Sequence, residues 1–180
     1  FLGSDETNHS FVYNGTTVTD ILPGIPNFGS GLGINDNGQV VGQMDPDIVN
    51  SISPFIYDPV SGLVDLIPNV DTSTSNTGAF AINNSGQFIV NNGFNGPARL
   101  YSNSSEYIEL TRPENWVGDY GFQAFSLNNQ GHAALRAATL VDGNTVMQAF
   151  LSNGNSIISL GVLNSTDGLG INDLDQVVGG

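Results

Sequence analysis

Apolar residues alternate with polar ones in short runs along the whole chain, as at Phe11/Tyr13 and Leu32/Ile34. That period of two is the signature of strands with one buried face. Runs rich in Asn, Asp and Gly separate them, such as Asn14-Gly15 and Asp36-Asn37-Gly38, the turn chemistry that tight hairpins require. No stretch sustains a helical period. One stretch conflicts locally: HAALRAATLV (132–141) carries alanines that favour helix. Its position directly after an Asn-Gln-Gly turn predicts a strand instead.

The pattern repeats. Four segments align: GLGINDNGQVVGQ (31–43), AFAINNSGQFIVN (79–91), AFSLNNQGHAALR (124–136) and GLGINDLDQVVGG (168–180). Their shared asparagines, Asn35, Asn83, Asn128 and Asn172, are spaced by 48, 45 and 44 residues. A second motif precedes each copy: SFVYNG (10–15), PFIYDP (54–59), ARLYSN (98–103) and AFLSNG (149–154). A third lies between them: TDILPG, VDLIPN, IELTRP and ISLGVL. Each copy therefore reads as four short strands, at the ~40–50-residue spacing of β-propeller blades. The prediction is an all-β single repeat domain over residues 1–180, propeller-like with four blades. Its units run 9–52, 53–96, 97–146 and 147–180 plus 1–8. One unit cannot bury both its faces, so units must stack.

The two ends belong together. After the first copy the chain continues through Met44–Pro54 into the next aromatic strand, and after the third through Thr139–Ala149. After the fourth there is no such connector, while residues 1–10 precede the first aromatic strand without a copy of their own. QVVGG followed by FLGSDETNHS and FVYNG has the layout of QVVGQ, MDPDIVNSISP and FIYDP. The terminal repeat thus reads as split between the termini. Either the ends meet within one molecule and close a ring, removing exposed sheet edges, or they meet between molecules head to tail. The self-association residues expected on this reading are Phe1, Leu2, Gly3, Gln176, Val177, Val178, Gly179 and Gly180.

Charge narrows the choice of partner. Seventeen acids face three bases, Arg99, Arg112 and Arg136, for a net charge of −14. A face that neutralises phosphates is missing, which excludes nucleic acid and disfavours anionic lipid. No apolar run approaches the ~18 residues that span a membrane, and no membrane insertion is expected. With no cysteine, disulfides, thiolate metal sites and thiol nucleophiles are excluded. The chain begins at Phe1 without a methionine, for which a removed secretory signal is the economical expectation.

Catalytic signals are sparse. His9 and His132 share no metal-ligand spacing with carboxylates. Asp5, Asp45, Asp47, Asp119, Asp142 and Asp167 are scattered over loops, with no pair held by a helix face. The Asp- and Asn-rich turns lack the full calcium-loop spacing and read as turn formers. Catalytic, metal and cofactor residues are accordingly expected to be none. RPENWVGDYGF (112–122) stands apart, carrying the only tryptophan. Arg112, Trp116, Tyr120 and Phe122 there suit a protein interface or sugar stacking, against the alternative of a small buried cluster under a loop. Sequons occur at Asn8, Asn14, Asn83, Asn103 and Asn164.

HSF (9–11), QAF (148–150), SLGVL (159–163) and GINDNGQVVG (33–42) together resemble the bacterial extracellular HAF repeats, whose pattern runs His-Ala-Phe, an Asp-Leu-Gly-like stretch and Ile-Asn-x-x-Gly-Gln-Val-Val-Gly. The third copy departs from it, with Arg99 at the aromatic position and Ala133-Ala134 for Val-Val. The resemblance implies secretion and a repeat fold, and no enzyme activity. The functional expectation is a non-enzymatic, secreted structural protein of the cell surface that self-assembles, into a filament or other homo-oligomer, through sheet edges or terminal strands. The alternative is a module that binds a glycan or a surface partner.

Overall fold

A computed structural model of the 180-residue chain describes residues 9–24, 28–45, 52–67, 70, 77–93, 96–118, 121–161 and 169–180. Among these are sixteen strands and no helix, the all-β fold that the alternation predicts. A first hairpin pairs β1 (Phe11–Tyr13) with β2 (Val18–Asp20). Three four-stranded antiparallel sheets follow. They comprise β3 (Phe28–Ile34) to β6 (Leu63–Leu66), β7 (Gly78–Ile82) to β10 (Tyr107–Glu109), and β11 (Gln123–Leu127) to β14 (Ile157–Ser159). A final hairpin pairs β15 (Gly170–Ile171) with β16 (Val177–Val178).

The second to fourth Ile-Asn segments and their aromatic partners fall where the repeat places them, but the sheets are phased half a repeat later than the units beginning at residues 9, 53 and 97. Each sheet joins the Ile-Asn hairpin of one unit to the aromatic hairpin of the next. Within the first, β4 (Val40–Asp45) pairs with β5 (Ser53–Asp58) from Val40↔Tyr57 to Met44↔Ser53. Sequence similarity reveals the period of a repeat, whereas hydrogen bonding decides where its unit starts. The stretch Thr139–Ala149 is likewise no loose connector. It forms the arms of one long hairpin, β12 (Ala133–Val141) with β13 (Asn144–Ser152), turning at Asp142-Gly143, both at positive φ. Asp45 ends β4 and is buried rather than in a loop.

HAALRAATLV is strand, as its place in the repeat predicts. Ala133, Ala134, Ala137 and Ala138 are fully buried between sheets. Small side chains there let sheets approach closely, and this packing outweighs a local helix preference of a few tenths of a kcal/mol per residue. The first strand of each four-stranded sheet carries a β-bulge at the same place, at Leu32, Phe80 and Phe125. Such bulges bend a strand and raise its twist.

Each sheet buries one face against the next. Val41 of β4 packs with Ala79, Ile82, Phe88 and Val90 of the second sheet. The opposite face of that sheet, with Ile89, Ala98 and Leu100, meets Phe122, Ala124 and Leu135 of the third. The two hairpins occupy the ends of this row. Val12, Ile21 and Leu22 pack on Val40, Met44 and Phe55 of the first sheet, and Ile171 and Val177 pack on Ala134 and Ala149 of the third. Among the described residues, β1–β2 and β15–β16 are separate two-stranded sheets, and no strand pairing joins them.

Candidate assembly interface

The hairpin β1–β2 is built by the same devices as its counterparts inside the sheets. Asn14 Oδ1 accepts from the Thr16 and Thr17 amides at 3.0 and 2.9 Å. Asp58, Asn103 and Asn153 make the same two bonds in the other copies. The Ile21 amide donates to Ser10 O at 3.0 Å, as Ile67, Leu110 and Leu160 donate to Pro54, Ala98 and Ala149. His9 Nδ1 lies 2.8 Å from Asp20 Oδ2 and pins the strand start to the end of β2. It thus corresponds to the last two strands of the four-stranded sheets and, among the described residues, pairs with no further strand.

The hairpin β15–β16 corresponds to the first two strands of the four-stranded sheets and, among the described residues, pairs with no further strand. Asn172 Oδ1 accepts from the Leu174 and Gln176 amides at 3.0 and 3.1 Å, the turn that Asn35, Asn83 and Asn128 also form. Where the other copies have Gly38, Gly86 and Gly131 at positive φ, this one has Asp175 at φ 58°. Asp175 Oδ1 holds the strained position by meeting His132 Nδ1 and accepting from Asn128 Nδ2, each at 2.8 Å. His132 itself stands where the other copies have Gln39, Gln87 and Gln176.

A polar ladder ties the inner turns together. Asn35 Nδ2 donates to Asn83 O at 3.0 Å, Asn83 Nδ2 to Asn128 O at 3.0 Å, and Asn128 Nδ2 to Asn172 O at 3.1 Å. Beside it, the amides of Asp36, Asn84 and Asn129 donate to Oδ1 of Asn84, Asn129 and Asp173 at 2.8–2.9 Å. The backbone and side-chain donors of Asn129 hold the Asp173 carboxyl below its ordinary range. Among the described residues the ladder stops at Asn172, whose Nδ2 meets Gln176 Oε1, and at Asn35, whose carbonyl accepts from the Gly38 amide at 3.0 Å. Sequence reading missed this second rail. Its signal was the Asp or Asn that follows the shared Asn in all four copies. The ladder also engages the sequon residue Asn83, which is buried with its Nδ2 fully used.

The ends of the row expose what its interior buries. Phe11 is 65% exposed where its counterpart Phe55 is 0%. Val178 is 69% exposed against 0% for Val41, and Ile34 58% against 8% for Ile82. Between the outer edge of β1 and the face of β3 lie two adjoining depressions of about 390 and 200 Å³ that share Phe11 and Gly31. Of the residues predicted for self-association, Gln176 to Gly180 sit on or beside β16 at the free end of the row; Phe1, Leu2 and Gly3 lie outside the described residues.

The Trp116 segment is assembled differently from a ligand loop. Phe122 is fully buried in the core between the second and third sheets, so it offers no surface to a partner. Its aromatic ring serves packing, immediately before β11 begins at Gln123. Trp116 is half-buried against the same core, with the Arg112 guanidinium 4.3 Å over its ring. The segment lies along the end of β12, through Val117 N to Ala138 O and Leu140 N to Asn115 O, both 2.9 Å. Tyr120 lies outside the described residues.

A depression of about 460 Å³ is lined by turn residues including Asn37, Asp58, Asn84 and Asn103. The Asp58 carboxyl is held below its ordinary range by the Ser61 and Val60 amides, the hydrogen bonding of a turn. Another, about 300 Å³, is ringed by the Ile/Leu-Asn turns of all four copies. Among the described residues no three His, Cys, Asp or Glu side chains converge as metal ligands. Scans against protein-family models and against curated proteins found no match for this chain.

Proposed function

We propose that this chain is a non-enzymatic structural protein of the cell exterior that assembles with its own copies through sheet edges or terminal strands, its sheets serving as β-propeller-like blades. One observation carries the reading. The hairpins at the two ends of the row repeat the last and the first strand pairs of the four-stranded sheets, and Phe11, Ile34 and Val178 are exposed where their counterparts Phe55, Ile82 and Val41 are buried. Unpaired strand edges of this kind template further strand addition. The resemblance to HAF repeats and the acidic, cysteine-free composition accord with an extracellular setting. Closure of one molecule into a ring is the intramolecular variant of the same complementarity.

Light scattering and negative-stain microscopy of the purified chain over a concentration series test the proposal. Oligomers or filaments that grow with concentration are expected; compact monomers throughout would refute it. A glycan-binding module is the second reading. The cover that Arg112 places over Trp116 leaves its stacking platform the weaker candidate.

A further inference from the structure

We infer that the groove between the first and second four-stranded sheets binds a neutral saccharide, whose hydroxyls donate to Asp58 and to the polar turns around it. This goes beyond the assembly reading and does not rest on it. The groove encloses about 460 Å³, within the ~300–1,000 Å³ of small-molecule sites. Four turns flank it, 35–39 and 58–62 of the first sheet and 83–87 and 102–106 of the second. Ile56 and the enclosed Phe88 supply its apolar lining.

Within the repeat, Asp58 is the departure. Asn14, Asn103 and Asn153 hold the corresponding place in the other hairpins and make the same turn with an amide oxygen. Asparagine would serve the turn at 58 equally well, and the carboxylate adds a second accepting oxygen that the turn does not use. Asp58 Oδ1 accepts from the Val60 and Ser61 amides at 2.9 and 3.0 Å. Among the described residues Oδ2 meets only Gln39 Nε2, at 3.4 Å. The turn bonds hold this carboxyl below its ordinary range, so at neutral pH it accepts hydrogen bonds without donating any.

The lining selects the ligand by its chemistry. Asn37 spends its Nδ2 on Asn84 O at 3.1 Å, which leaves Oδ1 to accept. The hydroxyls of Ser85 and Ser104 stand beside it. With Asp58 Oδ2 these groups accept more than they donate, and a ligand rich in hydroxyl donors meets them. Among the described residues no arginine or histidine lines the groove, so an anion finds no counter-charge there. The net charge of −14 repels acidic sugars as well. Asp58 is the single carboxylate of the lining, too few for an ion such as calcium that takes six to eight oxygens. Phe88 is fully buried and offers no face for stacking, so recognition falls to hydrogen bonds with neutral hydroxyls.

Saturation-transfer NMR and titration calorimetry of the purified chain test the site. The probes are the neutral trisaccharides maltotriose, cellotriose, mannotriose and xylotriose, with trigalacturonic acid and spermidine as charged counterparts. At least one neutral trisaccharide should bind; binding by none of them, or by the charged probes alone, would overturn the inference. Asp58→Asn should weaken the responding sugar about tenfold, the loss of a hydrogen bond to a charged acceptor. Its circular dichroism and melting should match the parent chain, because asparagine keeps the turn. Asn153→Ala breaks the corresponding turn of the third sheet, outside the groove, and should leave the affinity unchanged. Equal affinity of Asp58→Asn and the parent chain would overturn the site. Ser85→Ala, which should also weaken the sugar, keeps the test open if Asp58→Asn disturbs folding. Light scattering on the same samples separates the two readings. Growth with concentration but no bound sugar would remove this inference alone, and sugar binding by a chain that stays monomeric would remove the assembly reading alone.

Discussion

Replacing Asn83 by alanine tests the ladder with a control built into the same chain. Asn83 is buried and makes four side-chain bonds: Nδ2 to Asn128 O and Gln87 Oε1, and Oδ1 from the Ser85 and Gln87 amides, all at 2.9–3.1 Å. At a net value of about 1 kcal/mol each, their loss costs about 3–4 kcal/mol. Asn172 makes the equivalent turn bonds to Gln176 and Leu174 but, among the described residues, no bond onward, and it is exposed. Water replaces most of what Asn172→Ala removes, so about 1 kcal/mol is expected there. Urea denaturation followed by far-ultraviolet circular dichroism at low protein concentration measures both. In thermal scans the Asn83 variant should melt about 6–16 °C below the parent chain. Equal destabilisation by the two substitutions would show that the step to the next sheet contributes nothing beyond the local turn, and the ladder argument would fall.

Other consequences follow from single residues. Phe88 is fully enclosed and stacked on Tyr101 at 5.1 Å, so Phe88→Ala should cost about 3–5 kcal/mol in urea unfolding. Phe11→Ala, at an exposed site, should stay within about 0.5 kcal/mol in the dilute chain, and a loss as large as that of Phe88 would contradict the exposure. Asp175→Gly relieves a positive φ while losing contacts to His132 and Asn128; it should be milder by about 1 kcal/mol than Asp175→Ala, which keeps the strain. Because the Asp173 carboxyl is held below its ordinary range, its hydrogen bonds contribute fully above that range and are lost as pH falls through the depressed value. Asp173→Asn should therefore flatten the acid limb of stability, read as urea midpoint against pH. With a net charge of −14 per copy, self-assembly should strengthen as salt shortens the Debye length from ~30 Å at 0.01 M to ~8 Å at 0.15 M. Scattering growth that declines with salt would argue against contact between like-charged copies.

What the chain shows by itself is periodic and local. Alternation at Phe11/Tyr13 and Leu32/Ile34, the Asn-Gly turns and the fourfold recurrence of Ile-Asn determine that it makes strands, that they form hairpins, and that the hairpins recur. Such features depend on neighbours two to four residues away, and the recurrence is strong enough to overrule the helix preference of the alanines at 133–138. Tertiary structure decided what depends on distant residues. It set the half-repeat phase of the sheets, because β4 finds its edge partner in β5 of the following unit. It turned Thr139–Ala149 into a hairpin and Phe122 into core, and it bound turns 44 to 48 residues apart through single asparagines. A hydrogen bond between copies leaves no trace in either copy alone beyond a polar residue at the right place, and an apolar residue reads the same whether its partner strand is present or missing. Only the fold showed that Val178 and Ile34 stand where Val41 and Ile82 are covered.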